Sequence, residues 1–169
     1  MIDYYATRKD TKSRFIERID PVFYSGGSEI ITNDEIEFYK KNGYLILSDF
    51  FERIEIVEAN EKANFIFQNP ENFYTNKEMD KKTVRSVLNI EKIEEFEILL
   101  NRLTILIKEA LADDIYIHQS RINYKAGLGT GGWNWHSDFE TWHSQDGMPR
   151  MRCLTAMIPL VNNLSLIHI

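Results

Sequence analysis

The hydrophobic pattern changes period near residue 113, and this change limits the folds open to the chain more than any other feature. Before it, apolar residues recur at helical spacing. In "ITNDEIEFYKKNG", Ile36 shares a face with Tyr39 or Lys40, Thr32 followed by Glu35 predicts a capping box, and Gly43 predicts the stop. Ser48 and Asp49 are placed to cap a second helix through "FFERIEIVEANEKANFIFQ", which Pro70 ends. Asn89 is placed to cap the longest helix, roughly 90 to 112, with Ile93, Phe96, Leu99 or Leu100, Leu103, Ile107 and Ala110 on one stripe. Between these helices, "YLIL" at 44–47 reads as a short buried strand, residues 70–83 as loop, and "TVRSVLNI" as a brief strand. After residue 113, "IYIHQSRINYK" alternates apolar and polar residues at period two and "MRCLTAMIPLV" reads as a second, apolar strand, with the glycine-rich "AGLGTGG" as a connection. Helices first and strands afterwards predict an α+β fold. Residues 1–30, with the turn "YSGGSE", read as an arm or loop.

Size and composition narrow the function classes. A chain of 169 residues suits one domain or part of a larger one. The net charge of −6 gives no reason to expect nucleic acid or an anionic membrane as a partner. No apolar run reaches membrane-spanning length, and "MIDYYATRKD" has no apolar signal region, so a cytoplasmic protein is expected. The single cysteine, Cys153, has no internal disulfide partner, which fits a reducing compartment. Its apolar surroundings predict a small core residue rather than a nucleophile.

The residues with chemistry gather in "GGWNWHSDFETWH", at 131–143. His136 and Asp138 form an H-x-D pair. On extended chain the two side chains would point to one face, so an imidazole and a carboxylate would converge on one point. With a distant histidine such a pair forms the facial triad of iron(II) oxygenases, which leaves open positions on the metal. On the dipeptide alone, a surface histidine bonded to a nearby carboxylate is the simpler account. Just upstream, Gln119, Arg121, Asn123 and Lys125 occupy alternate positions, a polar strand face that would hold a carboxylate-bearing small molecule or simply meet solvent. Trp133, Trp135, Phe139 and Trp142 would wall a pocket or fill a core. His143, seven residues after His136, would need a tight reversal to join the pair, and "ETW" carries no turn signal. His118 is out of phase with Gln119 and is expected to be packed or on the surface away from that face.

The strings "QSRINYK" and "WHSDFETWHSQDGMPRMR" resemble the ectoine hydroxylases, iron(II)- and 2-oxoglutarate-dependent enzymes of the phytanoyl-CoA dioxygenase type. "RIDPVFYS" and "FYKKNGYLILSDFF" resemble the same family's amino-terminal half, so the likeness runs through most of residues 3–163. The resemblance implies amino-terminal helices followed by the first strands of a double-stranded β-helix, or jelly roll, incomplete in this chain. It implies hydroxylation of ectoine to 5-hydroxyectoine, a compatible solute of osmotic stress, with iron(II) as cofactor and 2-oxoglutarate as cosubstrate. It also implies roles: His136 and Asp138 as iron ligands, Asn123 and Lys125 at 2-oxoglutarate, and Gln119, Thr141 and Trp142 at ectoine. A homodimer is implied for the full-length protein.

The family's second histidine ligand, and the arginine that clamps 2-oxoglutarate, lie well downstream of its H-x-D. Here the only later histidines are His143 and His168. His168 lies in "LSLIHI", which departs from the family pattern and is what the codons CTG TCT CTT ATA CAC ATC encode. That string resembles the end of a transposon-derived adapter used to prepare sequencing libraries. The expectation is that residues 1–163 are the amino-terminal part of one dioxygenase domain, that 164–169 are a non-native tail, and that this polypeptide alone is inactive. Two alternatives remain open at this point: a related dioxygenase acting on another small polar substrate, and a non-catalytic small-ligand binding module.

Overall fold

Helix α1, Asn33–Asn42, begins at a Thr32 cap whose hydroxyl accepts the Glu35 amide while the Glu35 carboxylate accepts the Thr32 amide. This is the reciprocal box expected from the sequence. Gly43 closes the helix in the left-handed region, at φ 79°, and its N–H donates to the Tyr39 carbonyl at 2.7 Å. A computed structural model of the chain describes residues 30–125 and 132–162. The expected arm at 1–30 falls outside these but for its last residue, as do most of the glycine-rich connection and the tail at 164–169 with His168.

Helix α2, Arg53–Gln68, starts later than expected. Asp49 sits at φ 55° and cannot open a right-handed turn, and the start is held instead by the Glu55 carboxylate accepting the Glu52 amide at 2.7 Å. Pro70 follows as predicted and opens a single 3-10 turn, Pro70–Asn72. Residues 70–83 are more than loop, because they hold strand β1, Thr75–Lys77. Strand β2, Val84–Leu88, is the expected brief strand. Asn89 does not cap a long helix. Its left-handed backbone, φ 58°, leads into two 3-10 turns, Ile90–Lys92 and Glu94–Phe96, and only then into α3, Glu97–Leu111. At 15 residues α3 is one shorter than α2.

The three strands form an antiparallel sheet in the order β1-β2-β3, where β3 is Arg121–Asn123. Ser86, Val87 and Leu88 face Asn123, Ile122 and Arg121 in register. Two strands therefore precede α3, so helices and strands interleave rather than follow one another. "YLIL" and "MRCLTAMIPLV" keep period-two burial without becoming strands: Leu45 and Leu47 turn inward while Tyr44 and Ile46 are exposed, and Ile158 and Leu160 turn inward between Met157 and Val161. No described strand pairs with either segment, and a strand is defined by its ladder.

The principal core lies between α2 and the sheet. Ala59, Ala63 and Ile66 of α2 meet Val84, Val87, Phe96 and Leu99, and Ile122, Ile158 and Leu160 close over them. The two alanines let helix and sheet approach closely. A second cluster joins Ile31 and Ile36 to Ala110, with Leu45 and Leu154 against it. Residues 151–160 thus reach both clusters. Arg152 fixes their start by donating to the Leu111 carbonyl at 2.9 Å, satisfying an orphan acceptor at the end of α3, and by pairing with Asp113 at 3.0 Å. Cys153 is only part-buried. Among the described residues, no helix is long and apolar enough to cross a membrane.

Candidate metal centre

The H-x-D pair does not lie on a strand. His136 ends an irregular segment, Ser137 is the N-cap, and Asp138 is the first residue of helix α4, Asp138–Gln145. The pair converges all the same, with His136 Nε2 3.2 Å from Asp138 Oδ1. The expected period-two geometry is replaced by a coil-to-helix junction, where the N-terminal position favours the Asp138 carboxylate through the helix dipole.

The orientation of His136 is set by its own segment. Nδ1 lies 2.6 Å from the Asn134 carbonyl oxygen, which can only accept, so Nδ1 carries the donated proton. In the neutral imidazole, Nε2 then presents a lone pair to a carboxylate oxygen. Two acceptors facing at 3.2 Å repel unless something positive stands between them. A second proton on the ring or a cation would satisfy the pair. As an ion pair alone it would be a half-exposed contact of about 0–1 kcal/mol. As a donor pair it suits a small divalent ion, since bonds of about 2.1 Å meeting at a right angle set their donors about 3.0 Å apart. A backbone carbonyl on the far nitrogen is also the usual partner of a metal-ligating histidine. Among the described residues, no group of three His, Cys, Asp or Glu side chains is gathered to hold a metal ion.

Helix α4 sorts the remaining residues by its period. Asp138, Thr141 and Trp142 are three or four positions apart and share one face, one turn behind the pair. Phe139 and His143, again four apart, share another. Phe139 is buried, the His143 ring stacks on it with centroids 5.4 Å apart, and His143 Nδ1 lies 2.6 Å from the Met148 carbonyl. His143 is thereby turned to the core side, a placement the sequence left open. The tryptophans do not form one wall. Trp135 is fully exposed, Trp133 is half-exposed, and Trp142 packs edge-on against His118 at 5.0 Å.

The segment carrying His136 is clamped from the sheet. Arg85 on β2 donates from Nη2 to the Gly132 carbonyl at 2.9 Å and stacks over the Trp133 ring at 4.1 Å, while Glu78 lies 3.5 Å from its Nη1. Lys125 also reaches that ring, with Nζ 5.5 Å from its centroid. Asn123 ends β3 opposite Ser86, and Gln119 lies on exposed chain beside His118. The structure thus brings together His136 and Asp138, sets Thr141 and Trp142 on their side of α4, and links Lys125 to the His136 segment through Trp133. It leaves Gln119 and Asn123 exposed on the neighbouring chain. Sequence reasoning missed Arg85, the Asn134 carbonyl and the helix under Asp138. The Asp146–Gly147 pair could have exposed the helix: Gly147, at φ 75°, ends it, and the Asp146 and Met148 amides both donate to the Trp142 carbonyl.

Comparison with known proteins bears on this arrangement. The profile of the phytanoyl-CoA dioxygenase family matches residues 39–163. The ectoine dioxygenase of Stutzerimonas stutzeri is 36% identical, the match covering 95% of this chain and 56% of that protein. That of Bordetella bronchiseptica is 31% identical, covering 95% and 55%. The crystal structure of EctD from S. alaskensis with bound Fe superposes with a TM-score of 0.80 at 33% identity, over 89% of this chain and 57% of that one. The chain spans about half the length of the curated relatives it matches. The length of the profile match and the likeness of fold agree: the chain belongs to the phytanoyl-CoA dioxygenase family.

Proposed function

We propose that the full-length protein hydroxylates ectoine to 5-hydroxyectoine, with iron(II) as its metal and 2-oxoglutarate as cosubstrate. The observation that carries the reading is the His136–Asp138 junction, in which two electron-pair donors face each other 3.2 Å apart and the imidazole is already oriented by the Asn134 carbonyl. A divalent cation resolves that arrangement. The likeness to ectoine dioxygenases and to an iron-bound EctD supports the choice of metal and substrate. Iron bound there would supply dioxygen activation coupled to oxidative decarboxylation of 2-oxoglutarate. The balance is closed: ectoine, 2-oxoglutarate and dioxygen give 5-hydroxyectoine, succinate and carbon dioxide.

The residues of this chain do the holding and the orienting. His136 and Asp138 would supply two of three protein ligands. Lys125 and Asn123 would meet the carboxylates of 2-oxoglutarate, and the Lys125 ammonium is positioned by the Trp133 face. Thr141, Trp142 and Gln119 would meet ectoine, with the Trp142 indole giving its delocalised cation an aromatic surface. The third ligand and the second carboxylate clamp belong to the downstream part of a family-length protein. In this reading residues 1–163 are the first part of one jelly-roll domain, and the 169-residue chain alone binds iron weakly and turns over no ectoine. The test is ectoine-dependent succinate formation by the full-length protein with added iron. His136→Ala and Asp138→Ala should each abolish it, and wild-type turnover in either variant would defeat the assignment.

A further inference from the structure

The groups at the far end of α4 form a unit that the proposed reaction does not use. His118 lies on the chain leading into β3, and Asp146 follows the last turn of α4. Their side chains meet, with His118 Nε2 donating to Asp146 Oδ2 at 3.2 Å. The same imidazole packs edge-to-face on the Trp142 indole, with centroids 5.0 Å apart and planes at 67°. Tyr116 also meets it edge-on, with centroids 6.1 Å apart. Trp142 is thereby held from two directions. Its backbone carbonyl accepts the Asp146 and Met148 amides, and its ring rests on an imidazole that Asp146 anchors. Because Trp142 shares a helix face with Asp138, the tilt of its ring decides what can stand beside the metal pair.

We infer that His118 is a positioning residue: through its hydrogen bond to Asp146 it fixes the Trp142 ring, and so sets the affinity for the small cationic substrate without taking part in the chemistry. This rests on the reading of Trp142 as a substrate-facing wall. Among the described residues, Asp146 and, on its own segment, Tyr116 are set against His118. Losing either partner of the His118–Asp146 bond frees the imidazole to turn against the indole edge.

Two measurements test the inference separately from the function. The first is near-ultraviolet circular dichroism of the 169-residue chain, which reports how firmly an indole is held. The band that Trp142→Phe removes from the parent spectrum should weaken in both His118→Phe and Asp146→Asn. An undiminished band in either variant overturns the proposal. The second is steady-state hydroxylation by the full-length protein. His118→Phe and Asp146→Asn should each raise KM for ectoine about fivefold, the loss of one hydrogen bond, with kcat and iron content unchanged. The double variant should be no worse than either single one. A fall in kcat, or loss of iron, would make His118 a general structural support and overturn the positioning role. If the circular dichroism band weakens as described while Trp142→Ala leaves KM unaltered, the contact is real and the substrate reading of Trp142 fails instead.

Discussion

Residues 31–111 and 113–162 are built by different means. In the first stretch lie all the buried apolar residues described except Phe139, and its helix ends are settled within a few residues: Thr32 with Glu35, Glu52 with Glu55, Gly43 with Tyr39. Among the described residues of the second, only β3 and α4 are regular, most side chains are exposed, and the chain is fixed by contacts to distant residues. Arg85 reaches Gly132 and Trp133, His118 reaches Asp146, and Arg152 reaches Leu111. The candidate chemistry lies wholly in this second stretch. Its precision therefore comes from a few long-range anchors mounted on a scaffold that is stable on local grounds.

The sharpest way to break this comparison is to damage the scaffold. Phe96 is almost fully buried where the α2–sheet core meets α3, and Phe96→Ala should cost about 3–5 kcal/mol through lost burial and the cavity left behind. Urea unfolding should show this as a lower midpoint, and metal binding at His136 should be lost in the same transition. A smaller effect is expected from an anchor. Arg85→Met should cost about 1–2 kcal/mol, since it removes the hydrogen bond to Gly132 and the stack on Trp133 and leaves Glu78 without its cation. Hydrogen exchange should then quicken at 132–136 while exchange in α2 stays slow. If Arg85→Met loosens α2 as much as Phe96→Ala does, the two stretches are one cooperative unit and the contrast is false.

The same contrast explains what the sequence disclosed. Capping box, glycine stop, proline stop and β2 were legible because each is written in neighbouring residues. "YLIL" and "MRCLTAMIPLV" show strand alternation, but a ladder needs a partner that their own residues do not name. The start of α2 moved because Asp49 and Glu55 are both capping types, and the left-handed backbone at Asp49 decided between them. At the site, the meeting of His136 with Asp138 was legible while its setting was not. An extended chain and a coil-to-helix junction both bring H-x-D side chains together, and only the Asp146–Gly147 stop hinted at the second. The role of Arg85 left no local trace, because Gly132, whose carbonyl it holds, is 47 residues away.

Smaller effects sharpen the local side. Thr32→Ala removes one half of the α1 box and should cost about 1 kcal/mol, read as a shift in the unfolding midpoint with no change in metal binding. Acid should act on the same stretch. Hydrogen bonds from the Thr32 amide and hydroxyl hold Glu35 below the usual carboxylate range, and the Lys62 ammonium does the same for Glu95. Groups depressed in the folded state stabilise it above the ordinary value of about 4.3, and that stability is lost as pH falls through the folded value. The midpoint should therefore drop between about pH 5 and pH 3. Lys62→Met should flatten part of that slope, and an unchanged slope would remove Glu95 from the account.

The central claim is that the His136–Asp138 junction is a metal-binding pair and not a surface ion pair. Calorimetric titration of the 169-residue chain with iron(II) under anaerobic conditions, in parallel with His136→Ala and Asp138→Asn, tests it without any demand on turnover. The account predicts one weak site in the parent chain, absent from both variants. Equal binding in all three chains, or none in the parent, would contradict it.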